Sequence, residues 1–401
     1  MRLNSSSLWV LAVLAGLVTI GPLSTDMYLP AQPTIKAELG ASLAQIQLTL
    51  SVFLIGTAIA IPFWGPLADR FGRQLILIIG FSLFILSSIA CAFTTSIEAL
   101  IALRFVQAIG ASVGPILGRT MVRDIYSADK AAKAYSHLAS MMALAPALAP
   151  IIGAFLLVQF NWQAIFYALA LLAIISSAFY LYLIGETLAP KFRQSIRPQA
   201  ILKNYRLLFS DRIFIAYTLI MSAIFSGLFA FISIAAFIII KFLQLTPQQF
   251  GFCFLFMVLG FMLGATTGAK LSDRLPSTKI ILMGISLCSL GASLCLGFSL
   301  VEVFHTLALI IPIAIYGIGA GLVLPQCGGE SLRHYPNMAG TASSLNGIFQ
   351  NGAGAIAGIG AATFHINNPT VLGIFLVLAA MIALLCFYLL LPESERNKTL
   401  A

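Results

Sequence analysis

Polar and apolar positions along this chain fall into long blocks. Twelve predominantly apolar runs cover approximately 8–31, 43–64, 75–93, 97–118, 137–158, 162–184, 213–240, 249–269, 279–299, 304–325, 339–363 and 370–391. Each is long enough to cross a hydrocarbon core of ~30 Å. Backbone N–H and C=O groups in lipid need partners inside their own segment, so the runs are predicted as helices. A porin-like barrel would instead alternate over segments of about ten residues. The predicted fold class is an all-α membrane protein with twelve transmembrane helices. The only long polar stretch, 186–212, has six runs on either side.

Composition agrees with this pattern. Apolar residues make up 60% of the 401 and charged residues 9%, against roughly 25% charged in a soluble domain. The opening run continues to Pro33 without a clear small-residue cleavage site, so it reads as the first span rather than a leader. Of the 22 Lys and Arg, 19 fall in segments that share one side of the membrane with the amino terminus. That asymmetry predicts both termini in the cytoplasm. It also accounts for the +9 net charge without a nucleic-acid partner. The six cysteines lie in or at the ends of spans with no CxxC pair, and read as small buried apolar residues. No metal-ligand spacing, nucleophile elbow, phosphate-binding loop or dinucleotide fingerprint occurs. No cofactor, no metal and no enzymatic activity are expected.

A compact polar loop, Gly65-Pro66-Leu67-Ala68-Asp69-Arg70-Phe71-Gly72-Arg73-Gln74, separates the second and third runs. A shortened echo, Leu271-Ser272-Asp273-Arg274-Leu275, stands 204 positions later between two further runs. Equivalent loops in each half indicate two related halves. The predicted organisation is an N-terminal bundle over 1–185, a cytoplasmic amphipathic linker over 186–212 and a C-terminal bundle over 213–401.

Two charged residues lie well inside apolar runs. Asp26 is in the first, within Ser24-Thr25-Asp26-Met27-Tyr28-Leu29-Pro30, and Arg104 is in the fourth. An Asp at the centre of a span costs about 2.5–3.5 kcal/mol on insertion scales, which makes such a group a functional candidate. Both lie at similar depth from the outer end of their runs, so the two can meet. Otherwise Asp26 is satisfied by hydroxyls and Arg104 reaches the outer interface. Arg119, Arg123 and Asp124 close the fourth run in the layer of Asp69 and Arg70, where an ion-pair cluster could act as a latch or as a plain topology anchor. Trp162 reads as an interfacial anchor. The second half offers Gly260, Gly264 and Gly268 as a packing seam, a phenylalanine-rich seventh span and the amides Asn346 and Gln350, but no acid or base at mid-depth.

The loop at 65–74 resembles the signature G-x-L-A-D-R-x-G-R of the major facilitator superfamily, matching at Gly65, Leu67, Ala68, Asp69, Arg70, Gly72 and Arg73. Arg104 and Gln107 resemble its fourth-span motif, and Pro150 and Gly153 its exporter motif, with alanines at 145, 149 and 154 replacing glycines. Ser24–Pro30, Val122-Arg123-Asp124 and Ala339-Gly340-Thr341-Ala342-Ser343 resemble the bicyclomycin-resistance group of drug:proton antiporters. The resemblance implies two pseudo-symmetric six-helix bundles with a site between them near the midplane. It implies a bacterial inner-membrane protein, monomeric by default, that exports small apolar or cationic drug-like compounds against protons. Asp26 would carry the proton and Arg104 would tune it. Tyr28, Gln107, Ala111, Met142, Phe225, Phe229, Asn346 and Gln350 are the substrate-binding candidates. Gly65, Asp69, Arg70, Gly72, Arg73, Arg123 and Asp124 would form the conformational latch. The alternative is a proton-linked uptake symporter or facilitator of a polar metabolite.

Overall fold

The structure, a computed structural model, describes residues 8–126, 128–189, 193, 198–335, 338–364 and 369–396. The chain gathers into two compact units, Met1–Arg197 and Pro198–Ala401.

The first unit begins with α1 (Leu8–Asp26), a short 3-10 turn (Leu29–Ala31) and α2 (Gln32–Glu38). These form one apolar segment, Trp9–Glu38, long enough to span a membrane. The first run is predicted to end near residue 31, whereas α2 carries the helix on through Lys36 to Glu38. A contact from a residue far along the chain meets its end. The Trp162 indole N–H donates to Glu38 Oε2 at 2.6 Å, and Trp162 is buried edge-on to Phe166. Trp162 is thus packed inside the unit, with its N–H turned to the exposed Glu38 carboxylate.

Next come α3 (Leu43–Phe71), α4 (Arg73–Phe93), α5 (Ile97–Ala111) with its continuation α6 (Val113–Ile125), α7 (Ala128–Gln159) and α8 (Gln163–Leu183). The loop predicted at 65–74 is helical almost throughout. Only Gly72 interrupts it, with φ 102° and ψ 154°, a conformation essentially reserved for glycine. Arg119, placed by the sequence beyond the fourth span, lies on α6.

The second unit holds α9 (Pro198–Ser210), α10 (Arg212–Ala236) ending in a π-helical turn, α11 (Pro247–Leu271), α12 (Ser277–Leu300), α13 (Thr306–Arg333), α14 (Ala339–Thr363), α15 (Thr370–Leu385) and a terminal turn α16 (Glu393–Arg396). Amphipathic α9 buries Leu208 against Phe214, Ala342 and Leu345. Among the described residues eleven helices are long and apolar enough to cross a membrane. The remaining predicted span, α14, is a 25-residue helix whose Gly, Ser and Asn content lowers its hydropathy.

The two halves repeat in detail. Ser42 and Gln45 form a capping box at the start of α3, and Thr246 and Gln249 form one at the start of α11. Such boxes satisfy N–H groups that a helix start leaves unpaired. The principal helix contacts correspond as well: α3 on α5 with α11 on α13, α4 on α8 with α12 on α15, and α1 on α7 with α10 on α14. The predicted glycine seam on α11 exists. A Cβ at Gly260 or Gly264 would run into the carbonyls of Ala314 or Ile318 on α13, so these backbones approach as closely as small residues allow.

Candidate functional site

The first unit contains a buried polar cluster where α1, α3, α4 and α5 meet. Arg104 on α5 is fully buried. Its Nη1 donates to the Ser24 carbonyl at 3.1 Å and to Gln107 Oε1 at 2.6 Å. Gln107 in turn donates to Ser88 Oγ at 2.7 Å. The guanidinium lies between two rings, 4.8 Å from the Tyr28 centroid and 4.5 Å from that of Phe53. Such contacts are worth about 2 kcal/mol or more when desolvated. A hydrogen bond of 2.9 Å links the hydroxyls of Thr49 and Tyr28.

Asp26 is the last residue of α1 and is 6% exposed. Its Oδ1 accepts from the Thr25 hydroxyl at 3.0 Å. Among the described residues it makes no ion pair with Arg104. The sequence reading that brings the two together is corrected in this respect: Arg104 binds the backbone two residues before Asp26. A carbonyl and two aromatic faces hold the cation there without a carboxylate.

Among the described residues, Arg104 Nε and Nη2, and both amide atoms of Gln32 and Gln47, have no hydrogen-bond partner although all are buried. Each such group costs about 1–3 kcal/mol. Sequence reasoning singled out Arg104 and Gln107 but missed Ser24 as an acceptor, Thr49, Ser88, Gln32 and Gln47. Their signal was available, since each is a polar residue inside or at the edge of an otherwise apolar run.

Arg104→Lys is expected to fail as a replacement. One ammonium cannot serve the Ser24 carbonyl and Gln107 while lying flat between two rings. A loss of about 1.5–3 kcal/mol in stability is expected from the charged hydrogen bonds, read as a lower midpoint in a thermal melt in detergent. A lysine variant melting with the wild type would show that the fork geometry is not needed.

A second cluster surrounds Arg73. Its side chain is 3% exposed; Nη1 lies 2.6 Å from Asp69 Oδ1 and Nε 3.1 Å from Asp124 Oδ2. Of the latch candidates, Asp69, Arg73 and Asp124 are thus brought together, and Gly72 supplies the break between α3 and α4. Arg70 instead lies over the Phe71 ring at 5.1 Å, and Arg123 is exposed. Neither pairs with an acid among the described residues. Around Gly65 there is open space for a side chain.

The substrate-binding candidates divide by burial. Tyr28, Gln107, Ala111, Phe229 and Asn346 are buried. Asn346 is held by Thr218 and Ser331 at 2.6 and 2.7 Å. Met142, Phe225 and Gln350 are half-buried. Phe225 stacks with Phe229 at 6.3 Å, and Arg119 Nη2 lies 3.8 Å from Met142 Sδ. Five of the cysteines are buried and Cys386 is half-buried, all as free thiols. Among the described residues no metal-binding group is found.

Two units with matching helix contacts, one of them holding a buried acid and a buried arginine, define a membrane protein of the secondary-transporter class. The chain belongs to the Major Facilitator Superfamily, whose family model matches residues 14–359. A bicyclomycin resistance protein homolog of Haemophilus influenzae is 27% identical over 399 residues, spanning 99% of this chain and all of its own. An uncharacterized MFS-type transporter of Bacillus subtilis, YdgK, is 31% identical over 388 residues, 96% of each chain. Multidrug resistance protein D of Escherichia coli is 26% identical over 390 residues, again 96% of each. Among solved structures, the crystal structure of a D-xylose–proton symporter superposes with a TM-score of 0.76 at 17% identity, covering 98% of this chain and 99% of that one. That likeness shows the fold.

Proposed function

We propose that this protein exports drug-like small molecules in exchange for protons, by alternating access, with Asp26 as the proton-carrying group. The observation that carries the reading is Asp26 itself: a buried carboxyl at the end of α1 that, among the described residues, accepts from its neighbour Thr25 and makes no ion pair. A carboxylate without a paired cation can exchange a proton for a substrate without first breaking an ion pair. One proton entering down 100 mV supplies about 2.3 kcal/mol, and a pH gradient adds to that. Kinship with proteins named for bicyclomycin and multidrug resistance supports a drug-like substrate. The Lys and Arg distribution supports both termini in the cytoplasm, and kinship with bacterial transporters supports an inner-membrane location. Asp69, Arg73 and Asp124 act in this reading as the cytoplasmic latch.

Purified protein in liposomes with a trapped pH dye tests the proposal. Under an imposed proton gradient, adding a substrate drug is expected to move protons and drug in opposite directions. Movement of both in the same direction would replace export with uptake symport. Drug movement without proton flux would remove Asp26 from the mechanism.

A further inference from the structure

The cytoplasmic end of the first unit contains a third carboxylate, which sequence reasoning left as the first residue of the linker. Glu186 follows α8 at Gly185, whose φ is 71°, a left-handed conformation that lets the chain turn sharply. Its side chain reaches back to the start of α4. Glu186 Oε1 accepts from the Arg73 N–H at 3.0 Å and from the Leu188 N–H at 2.9 Å. Glu186 Oε2 faces the Gln74 N–H at 3.4 Å and Arg193 Nη2 at 3.9 Å.

The first N–H groups of a helix have no partner inside it, and a side chain at the N-cap position commonly supplies one. Here the N-cap residue is Gly72, which has no side chain. A carboxylate 113 residues away takes its place, at the helix end where negative charge is favoured. The space leaves no alternative at Gly72, since a Cβ there would collide with the Glu186 carboxylate. The next residue completes the connection: the Thr187 hydroxyl donates to Asp124 Oδ2 at 3.1 Å, the same oxygen that receives Arg73 Nε. Residues 186 and 187 therefore hold both the Arg73 backbone and the Asp124 carboxylate that pairs with its side chain.

The other end of the joining segment is fixed in the second unit. Leu208 of α9 is buried against α10 and α14, and Asp211 caps α10 while accepting the Tyr335 hydroxyl at 2.5 Å.

We propose that Glu186 is a positioning residue of the transporter: it holds the start of α4, keeps Arg73 between Asp69 and Asp124, and ties the chain that joins the two units to the latch. The role rests on the transport reading, since a latch matters only to a protein that cycles. Displacing Glu186 frees the first turn of α4 and loosens Arg73 without touching the Asp26 region.

The test combines transport kinetics in liposomes with amide exchange on the same full-length protein. Glu186→Ala is expected to reduce turnover about tenfold, the kinetic equivalent of losing one helix cap, with the apparent KM for the drug unchanged. The amides of Arg73 and Gln74 should exchange about tenfold faster as that turn opens locally. Glu186→Gln keeps an acceptor oxygen and should restore most of the protection. Wild-type exchange in Glu186→Ala overturns the proposal, as does faster exchange with wild-type turnover. Failure of Glu186→Gln to restore protection would also overturn it, because net charge alone would then be acting. Exchange needs no substrate. A wild-type protein that carries no drug would sink the transport reading, while exchange at Arg73 and Gln74 still decides whether Glu186 holds α4.

Discussion

Asp26→Asn is expected to abolish proton-driven exchange, bringing substrate-dependent proton flux to the level of empty liposomes. The substitution is nearly isosteric, and the Asn carbonyl oxygen can still accept from Thr25, whose hydroxyl lies 3.0 Å from the carboxylate. Because Asp26 makes no ion pair among the described residues, its loss leaves no buried cation uncompensated, the usual reason such a change unfolds a protein. Removing an acid that costs about 2.5–3.5 kcal/mol to place in a span should leave the melting temperature equal or higher. Melting in detergent and flux in liposomes on one preparation check both parts. Preserved proton flux in a well-folded variant would remove Asp26 from the coupling step.

Gly153→Val is expected to be nearly as damaging by a different route. Gly153 sits on α7 in the stretch that resembles the exporter motif. A Cβ there would collide with the backbone of Met27, at its carbonyl oxygen, carbonyl carbon and Cα. That backbone immediately follows Asp26, at the break between α1 and the 3-10 turn. A side chain at 153 must displace the main chain that carries the acid, because backbone cannot rotate aside as a flexible side chain would. Overpacking of this kind costs about 1–3 kcal/mol, and the displacement falls on the proposed proton site. Both the melting temperature and the transport rate should drop. The control is Gly297→Ala on α12, where a Cβ meets open space and both readings should match the wild type. If Gly153→Val also matches the wild type, α7 does not position the bend.

Much of the architecture was legible in the chain. The helices lie where long apolar runs occur, because insertion in lipid is decided mainly by local hydropathy. α14 shows the limit of that signal: its predicted span is a helix, yet its Gly and Asn content takes it below the apolarity of the others. The cap residues Ser42 and Thr246 mark equivalent starts in the two halves, since capping is decided within four residues. Asp26 and Arg104 were visible as charges in apolar surroundings, and the structure buries both.

Partnerships were not legible to the same degree. Equal depth suggested an Asp26–Arg104 pair, but Arg104 is held by the Ser24 carbonyl, Gln107 and two rings. Position along a span fixes height in the membrane. The rotation of each helix and the path of the backbone at 24–28 decide which atoms face the guanidinium. Arg70 and Arg73 look alike in the motif, yet one lies over a phenylalanine ring and the other is buried between two acids, because Gly72 turns the chain between them. Glu186 reads as an ordinary linker acid until α8 ends beside the start of α4.

By itself, then, the sequence determined what depends on nearby residues: which segments are helices, that the chain has two related halves, and which side chains are costly to bury. Only the tertiary structure decided which of those costly groups meet, because contacts between residues 80 or 113 positions apart arise from helix packing and main-chain turns, which no local pattern encodes.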